Sequence, residues 1–117
     1  MNPLTLTTGT TPSGPVIELA GDLDHASAQQ VRDTLPRLDL RAGQQLIVGL
    51  GALTFCDSSG ITVLIAARNH ALQHGAGIAL AAVPDRVQRI FRIVGLEQVF
   101  ATHSTVDDAA AAWTPPT

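Results

Sequence analysis

Apolar and polar positions alternate over Leu4-Thr5-Leu6-Thr7-Thr8, the spacing of a half-buried strand. Val16-Ile17-Glu18-Leu19-Ala20, closed by Gly21, is a second strand candidate. Between them, Gly9-Thr10-Thr11-Pro12-Ser13-Gly14-Pro15 is dense in turn residues and predicts a longish loop joining a hairpin. The period then changes. Ala28, Val31 and Leu35 fall on one helical face, which predicts a helix from His25 to about Leu35, capped by Asp24 and with Pro36 near its end. Leu38 to Gly43 reads as connection. Gln45-Leu46-Ile47-Val48-Gly49-Leu50 is nearly continuous in apolar residues, as in a central strand covered on both faces.

A short link ending in Asp57-Ser58-Ser59-Gly60 follows this strand, and then a helix with Ile61, Leu64, Ile65 and Leu72 as its expected buried face. It should end near His74-Gly75, where glycine suits the left-handed position. Gly77 to Val83 reads as another buried strand. Pro84 sits where the first turn of a helix tolerates it. Asp85 to Val94 is amphipathic, with Val87, Ile90, Phe91 and Val94 apolar, Arg86, Arg89 and Arg92 solvated, and Gly95 closing it. Leu96 and Val99-Phe100-Ala101 lead to a short last strand. Ser104 is the expected cap of a last helix, Val106 to Trp113, whose first-turn Asp107 and Asp108 suit the helix dipole. Thr114-Pro115-Pro116-Thr117 reads as a tail. The order predicts an α/β fold: a mixed sheet of four or five strands, parallel from Gln45 onward, with the first hairpin as an antiparallel edge and about four helices packed against it.

A length of 117 residues predicts one domain. The net charge of −3 and seven scattered basic residues argue against nucleic-acid binding, which needs clustered cations. A single cysteine, Cys56, rules out an internal disulfide and reads as a small core residue. Met1-Asn2-Pro3-Leu4 lacks the features of a signal peptide, and no apolar run approaches the roughly 20 residues of a membrane span. The expectation is a cytoplasmic protein without a metal or cofactor of its own.

The chain is organised around Leu53-Thr54-Phe55-Cys56-Asp57-Ser58-Ser59-Gly60. Asp57 and Ser58 are both good N-cap residues, and a hydroxyl at a helix start lies beside unpaired N–H groups that tolerate an anion. Capping alone is the simpler account of these residues. Enzyme chemistry finds little support. A nucleophilic Ser58 or Ser59 needs a positioned base, and His25, His70, His74 and His103 stand in no catalytic spacing. Asp57-Ser58-Ser59-Gly60 is not the G-x-S-x-G elbow. His70 and His74 share a helix face without a third ligand in view. Phosphate-cradling glycine motifs are absent.

Three segments together carry a resemblance: Ala20-Gly21-Asp22-Leu23-Asp24-His25-Ala26-Ser27, the Leu53–Gly60 stretch about 35 residues downstream, and Val94-Gly95-Leu96 with Val99-Phe100. The chain resembles the anti-sigma factor antagonists, free-standing STAS domains of bacteria, from about Leu4 to Ala112. The resemblance implies a STAS fold and a non-enzymatic regulator, monomeric when free. Its implied partner is an anti-sigma factor that is also a serine kinase with bound ATP. Binding makes that partner release its sigma factor. The kinase modifies the first serine of the motif, here Ser58, and the modified protein binds poorly until a PP2C-type phosphatase restores it. The implied partner-binding residues are Asp22, Asp24, His25, Asp57, Ser58, Ser59, Gly60 and Thr62. Ser59 is expected to cap or support the loop and Gly60 to let it turn tightly.

The chain departs from the family pattern at three positions. Gly49 stands where Asp or Asn is usual and is expected to remove a polar group near the loop. Thr62 replaces a frequent glycine with a stiffer, β-branched residue facing the partner region. Ile61 replaces leucine, a trivial change. The alternative role for such a domain is a scaffold or regulatory subunit of a stress-signalling or transporter complex.

Overall fold

The buried run predicted at Leu46–Leu50 is the middle of the sheet, and the other elements are placed by what covers its two faces. The computed structural model describes residues 2–115; Met1 and the tail residues Pro116 and Thr117 lie outside it. The elements are β1 Thr5–Thr11, β2 Gly14–Leu23, α1 His25–Thr34 followed by a 3-10 turn Leu35–Arg37, β3 Gln45–Cys56, α2 Ser58–Gln73, β4 Gly77–Ala81, α3 Asp85–Val94, β5 Ala101–His103 and α4 Val106–Ala112. The strands form one sheet in the order β1-β2-β3-β4-β5. β1 pairs antiparallel with β2, and every later neighbour is parallel.

Both faces of the central strands are covered, because successive side chains point to opposite sides. Leu46, Val48 and Leu50 of β3 join Ile17, Leu19 and Leu80 under α1, α2 and α3. Ile47 points the other way and meets Val16, Ala79, Ala81 and Ala109 under α4. The small second layer explains the run of alanines in α4: only short side chains let a seven-residue helix lie this close to the sheet.

Several predicted boundaries are corrected. The Gly9–Pro15 stretch is not a longish loop. β1 runs on to Thr11, only Pro12 and Ser13 lie between the strands, and Gly14 takes φ 144°. Threonine is β-branched and suits a strand, so the turn-rich composition misleads. The turn is held by Thr11 Oγ1, which donates to the Gly14 carbonyl at 2.9 Å. β2 does not stop at Gly21 but bends through it, at φ 95°, and continues to Leu23. β3 extends six residues past Leu50, with register shifts against β2, so the expected link is strand. Those shifts break the alternation: Leu53 and Cys56 are buried while Thr54 and Phe55 are exposed.

The helices need similar adjustment. In α2 the buried face includes Ile61 and Leu64, but Val63, Ala67 and Ala71 complete it, while Ile65 is half-buried and Leu72 is exposed. Pro84 is the N-cap of α3 rather than a residue of its first turn, and Val94 is exposed. Gly75 and Gly95 take the expected left-handed conformation, at φ 68° and 78°. β4 ends at Ala81, and its first two residues are half-buried. Thr105, not Ser104, caps α4 by accepting from the Asp108 N–H at 3.0 Å.

The sequence gives no hint of the buried Gln45, 2% exposed, whose Nε2 donates to Ser13 Oγ at 3.1 Å and to the Ala109 carbonyl at 3.0 Å. One amide thus ties the hairpin turn, β3 and α4 together. Trp113 lies beyond the end of α4 rather than inside it. Its Nε1 donates to the Gly43 carbonyl at 2.9 Å, and its ring covers Gly77, where an added Cβ would lie 2.5 Å from Cη2 and 2.7 Å from Cζ3. Gly77→Ala is therefore expected to displace the indole and lower stability by about 1–3 kcal/mol. Denaturant titration followed by the emission of Trp113, the sole tryptophan, checks both effects at once.

Candidate functional site

The site lies where β2 and β3 end side by side. Leu23 pairs with Cys56 at the last rung of their parallel ladder, and the Asp57 N–H donates to the Leu23 carbonyl at 3.3 Å. α1 begins two residues after Leu23 and α2 two residues after Cys56. Two helix starts, capped by Asp24 and Asp57, are thereby neighbours at the carboxyl edge of the sheet.

Each helix start is capped by its own aspartate. Asp24 accepts from the Ser27 N–H at 3.0 Å, while Ser27 Oγ accepts from the Asp24 N–H at 3.0 Å, a reciprocal capping box. Asp57 Oδ1 accepts from the N–H groups of Ser59 at 2.9 Å and Gly60 at 3.1 Å. The cap of α2 is therefore Asp57, and Ser59 contributes its backbone N–H to it. A third carboxylate, Asp22, accepts from Thr54 Oγ1 at 2.7 Å and from the Asn2 N–H at 3.1 Å. The Thr54 hydroxyl, and after it the Asn2 N–H, hold the Asp22 carboxyl below its ordinary value of 3.8.

Ser58 is the first residue of α2 and is exposed. Its hydroxyl makes no hydrogen bond among the described residues. Its carbonyl accepts from Thr62 Oγ1 at 2.9 Å, so Thr62, also exposed, shares the Ser58 side of the helix. His25, the first residue of α1, is exposed as well. The structure thus gathers Asp22, Asp24, His25, Asp57, Ser58, Ser59, Gly60 and Thr62 around the ends of β2 and β3.

Gly60 is needed for a reason other than a tight turn. Its backbone is helical, not left-handed. A Cβ there would lie 2.7 Å from Cys56 Sγ and 2.9 Å from the Leu23 carbonyl oxygen. Glycine lets the first turn of α2 press against the last rung of the ladder. Cys56 is a buried core residue, its thiol pushed up to about 11 by burial and then by Asp57. Gly49 is not near the loop. It lies seven residues before the end of β3, roughly 20 Å along a strand, and faces Glu18 and Val106 of α4. The extension of β3 to Cys56 removes it from the site.

His70 and His74 do sit together, with ring centroids 4.4 Å apart. Among the described residues, however, no group of three His, Cys, Asp or Glu side chains could hold a metal ion. Among the described residues no histidine bonds to Ser58 or Ser59. Arg86, expected to be merely solvated, donates from Nη2 to the Thr54 carbonyl at 2.6 Å and fastens α3 to the end of β3.

Residues 6–102 match a family model described as "Mlab, STAS domain". The chain belongs to the STAS domain family. This STAS domain is 29% identical over 83 residues to the anti-sigma-B factor antagonist of Listeria monocytogenes serovar 1/2a, covering 71% of this chain and 73% of that protein. It is 32% identical over 84 residues to a STAS-domain containing protein of Pseudomonas aeruginosa strain UCBPP-PA14, covering 72% and 82%. Among solved structures it resembles an anti-sigma factor antagonist from Mycobacterium paratuberculosis, with a TM-score of 0.76, 21% identity and coverage of 95% and 94%. The mixed five-stranded sheet is the STAS fold.

Two outcomes follow from this geometry. Gly60→Ala forces α2 off the ladder end and is expected to cost about 2–4 kcal/mol, more than an ordinary overpacking change because backbone and a buried sulfur both resist; thermal or denaturant melting measures it. Thr54→Val removes the main donor to Asp22. A depressed carboxyl stabilises the fold above its unfolded pKa, and that stabilisation is lost as pH falls through the folded pKa. In Thr54→Val the NMR titration midpoint of the Asp22 carboxyl should rise toward 3.8; an unmoved midpoint refutes the assignment.

Proposed function

We propose that this STAS domain is an anti-sigma factor antagonist switched by phosphorylation of Ser58. It binds an anti-sigma factor that is a serine kinase carrying ATP, the kinase gives up its sigma factor, and transcription from that sigma factor's promoters begins. Phosphate on Ser58 ends the interaction, and a PP2C-type phosphatase restores it. The protein acts in the cytoplasm and performs no catalysis itself. The observation that carries this reading is an exposed serine hydroxyl without a hydrogen bond among the described residues, placed beside an aspartate that already accepts from two helix-start N–H groups.

The Asp57 cap matters for the switch. With the Ser59 and Gly60 N–H groups held by Asp57, a phosphate on Ser58 gains little from α2 and stands in solvent beside like charge. It adds about −1.5 to −2 charges. A partner that dehydrates Ser58 in its interface loses about 2–5 kcal/mol of affinity, a factor of roughly 30 to several thousand. No rearrangement of the fold is required. A scaffold or transport-linked role would use the same fold, but it gives the exposed Ser58 within Asp57-Ser58-Ser59-Gly60 no task.

Intact-mass spectrometry after incubation with ATP and a candidate anti-sigma kinase from the same genome tests the proposal. One phosphate on the native protein and none on Ser58→Ala is the expected result. No phosphate with any candidate kinase favours the scaffold or transport role. Phosphate retained by Ser58→Ala moves the switch to another hydroxyl, with Ser59 first in line. Ser58→Asp should lose partner affinity while its backbone chemical shifts change only around residue 58; shifts far from it would refute a switch by interface electrostatics alone.

A further inference from the structure

β1 is an outer strand of the sheet, and nothing among the described residues pairs with its free side. Such an edge recruits further strands unless it is short, charged, bulged or interrupted by proline. β5, at the opposite edge, is only three residues long. β1 has no such protection. It runs for seven residues, Thr5–Thr11, in unbroken register with β2, and its sequence carries no charge and no proline. Its free backbone groups can be assigned. Pro15 pairs with Thr10 and has no N–H, so this pair exchanges no ladder bonds. The Ser13 carbonyl, two residues earlier and so on the same side of the chain, accepts the Gln45 N–H of β3 at 2.9 Å. By alternation, Leu6, Thr8 and Thr10 turn their N–H and C=O groups away from β2. Gln30 Nε2 takes the Leu4 carbonyl at 3.3 Å, so the free row starts at Leu6. On the helix side an open groove of about 290 Å³ separates Thr8 and Thr10 from Arg37 and Asp39, so the helices stop short of this edge.

The free row is symmetric about Thr8. A second copy of the strand, turned antiparallel, sets Thr8 opposite Thr8 and Leu6 opposite Thr10. Each of these pairs then exchanges both of its backbone bonds, and no outward group of the row is left over. On the other side of the strand Thr5 meets Thr11, a favourable cross-strand pair, and Thr7 covers Gly9. The chain carries a net charge of −3, yet at this edge two copies meet without opposing like charges. On the open face of the sheet, Glu18 of each copy pairs with Thr7. The two carboxylates would stand three strand spacings apart, about 14 Å, beyond the roughly 10 Å over which salt screens exposed charges. We propose that this protein forms a two-fold dimer through β1, joining two five-stranded sheets into one, in place of the free monomer that the family resemblance implies. A foreign strand would leave the symmetry of the row unused, and an uncharged edge offers nothing to select it. Because the pairing is antiparallel, the two carboxyl edges face opposite ways. Both Ser58 surfaces stay open, and the dimer is bivalent. The dimer does not depend on what binds at Ser58.

Sedimentation equilibrium at concentrations up to about 1 mM tests the dimer, with Thr8→Lys, Thr8→Glu and Thr102→Lys beside the native chain. Thr8 is exposed, so a charge there leaves the fold intact. The native mass should rise about twofold with concentration. Thr8→Lys alone and Thr8→Glu alone place like charges directly opposite and should stay at the mass of one chain. An equal mixture of the two should recover the mass of two, since opposite charges then face each other. Thr102→Lys, on the exposed part of β5 at the other edge, should associate as the native chain does. Amide exchange at Leu6, Thr8 and Thr10 should slow with concentration in the native chain and not in Thr8→Lys. A native chain that keeps the mass of one up to about 1 mM overturns the dimer and leaves the edge to an extended segment of another protein. A native dimer that Thr8→Lys leaves intact overturns β1 as its interface. Two monomeric Thr8 variants that do not associate on mixing overturn the pairing centred on Thr8.

Discussion

Two parallel strands that stop on the same rung set the arrangement of everything around Ser58. Because Leu23 pairs with Cys56, the helices that follow β2 and β3 must start side by side. In parallel α/β sheets this carboxyl edge is where backbone N–H groups and short polar side chains converge. Gly60 tightens the arrangement: with no Cβ, the first turn of α2 rests on the Leu23 carbonyl and the Cys56 sulfur. The close contact fixes where α2 begins, and so where Ser58 points.

The polar groups at this edge are already committed to one another. Asp57 holds two N–H groups of α2, Asp24 and Ser27 cap α1 reciprocally, and Thr54 with Asn2 holds Asp22. A satisfied network of this kind is rigid. The Ser58 hydroxyl is exposed and has no hydrogen bond among the described residues. A helix start with free donors would absorb a phosphate and hide part of its charge. Here two of those donors, the Ser59 and Gly60 N–H groups, are already taken by Asp57. The local chemistry that makes Asp57 look like a mere cap is also what leaves charge added at Ser58 visible to a partner.

Much of this was legible in the sequence. Periodicity located every strand and α-helix in order, and turn and cap residues located Asp24, Asp57, Gly75 and Gly95. The errors share a physical cause. Strand ends and turns were judged by composition, whereas the ladder decides them: Thr10 and Thr11 pair across to Pro15 and Gly14 and so belong to a strand. β3 was cut short because its bulges against β2 break the two-residue period. That cut also misplaced Gly49, which looked close to the loop only while the strand was thought to end at Leu50. Gln45 and Trp113 form their hydrogen bonds across 64 and 70 residues of sequence, respectively. No local pattern carries such a contact. In α3 the apolar period holds for Val87, Phe91 and the half-buried Ile90, whereas Val94, at the last turn, is exposed.

Affinity and control place different demands on a surface. Apolar contact gives affinity that scales with area and is insensitive to charge. Charge gives control, but its strength depends on how much water remains. A unit charge pair about 4 Å apart is worth about 1 kcal/mol in bulk water and about 4 kcal/mol at the effective dielectric of a protein surface. Ser58 is exposed in the free domain, so a phosphate there would meet Asp57 mostly through water and cost the fold little. Pressed into an interface, the same phosphate would meet the same carboxylate with the water removed. The penalty then falls on the complex and not on the free protein. A switch built this way needs no second conformation, only a rigid edge, a hydroxyl that bonds to nothing, and a neighbouring negative charge that cannot move away.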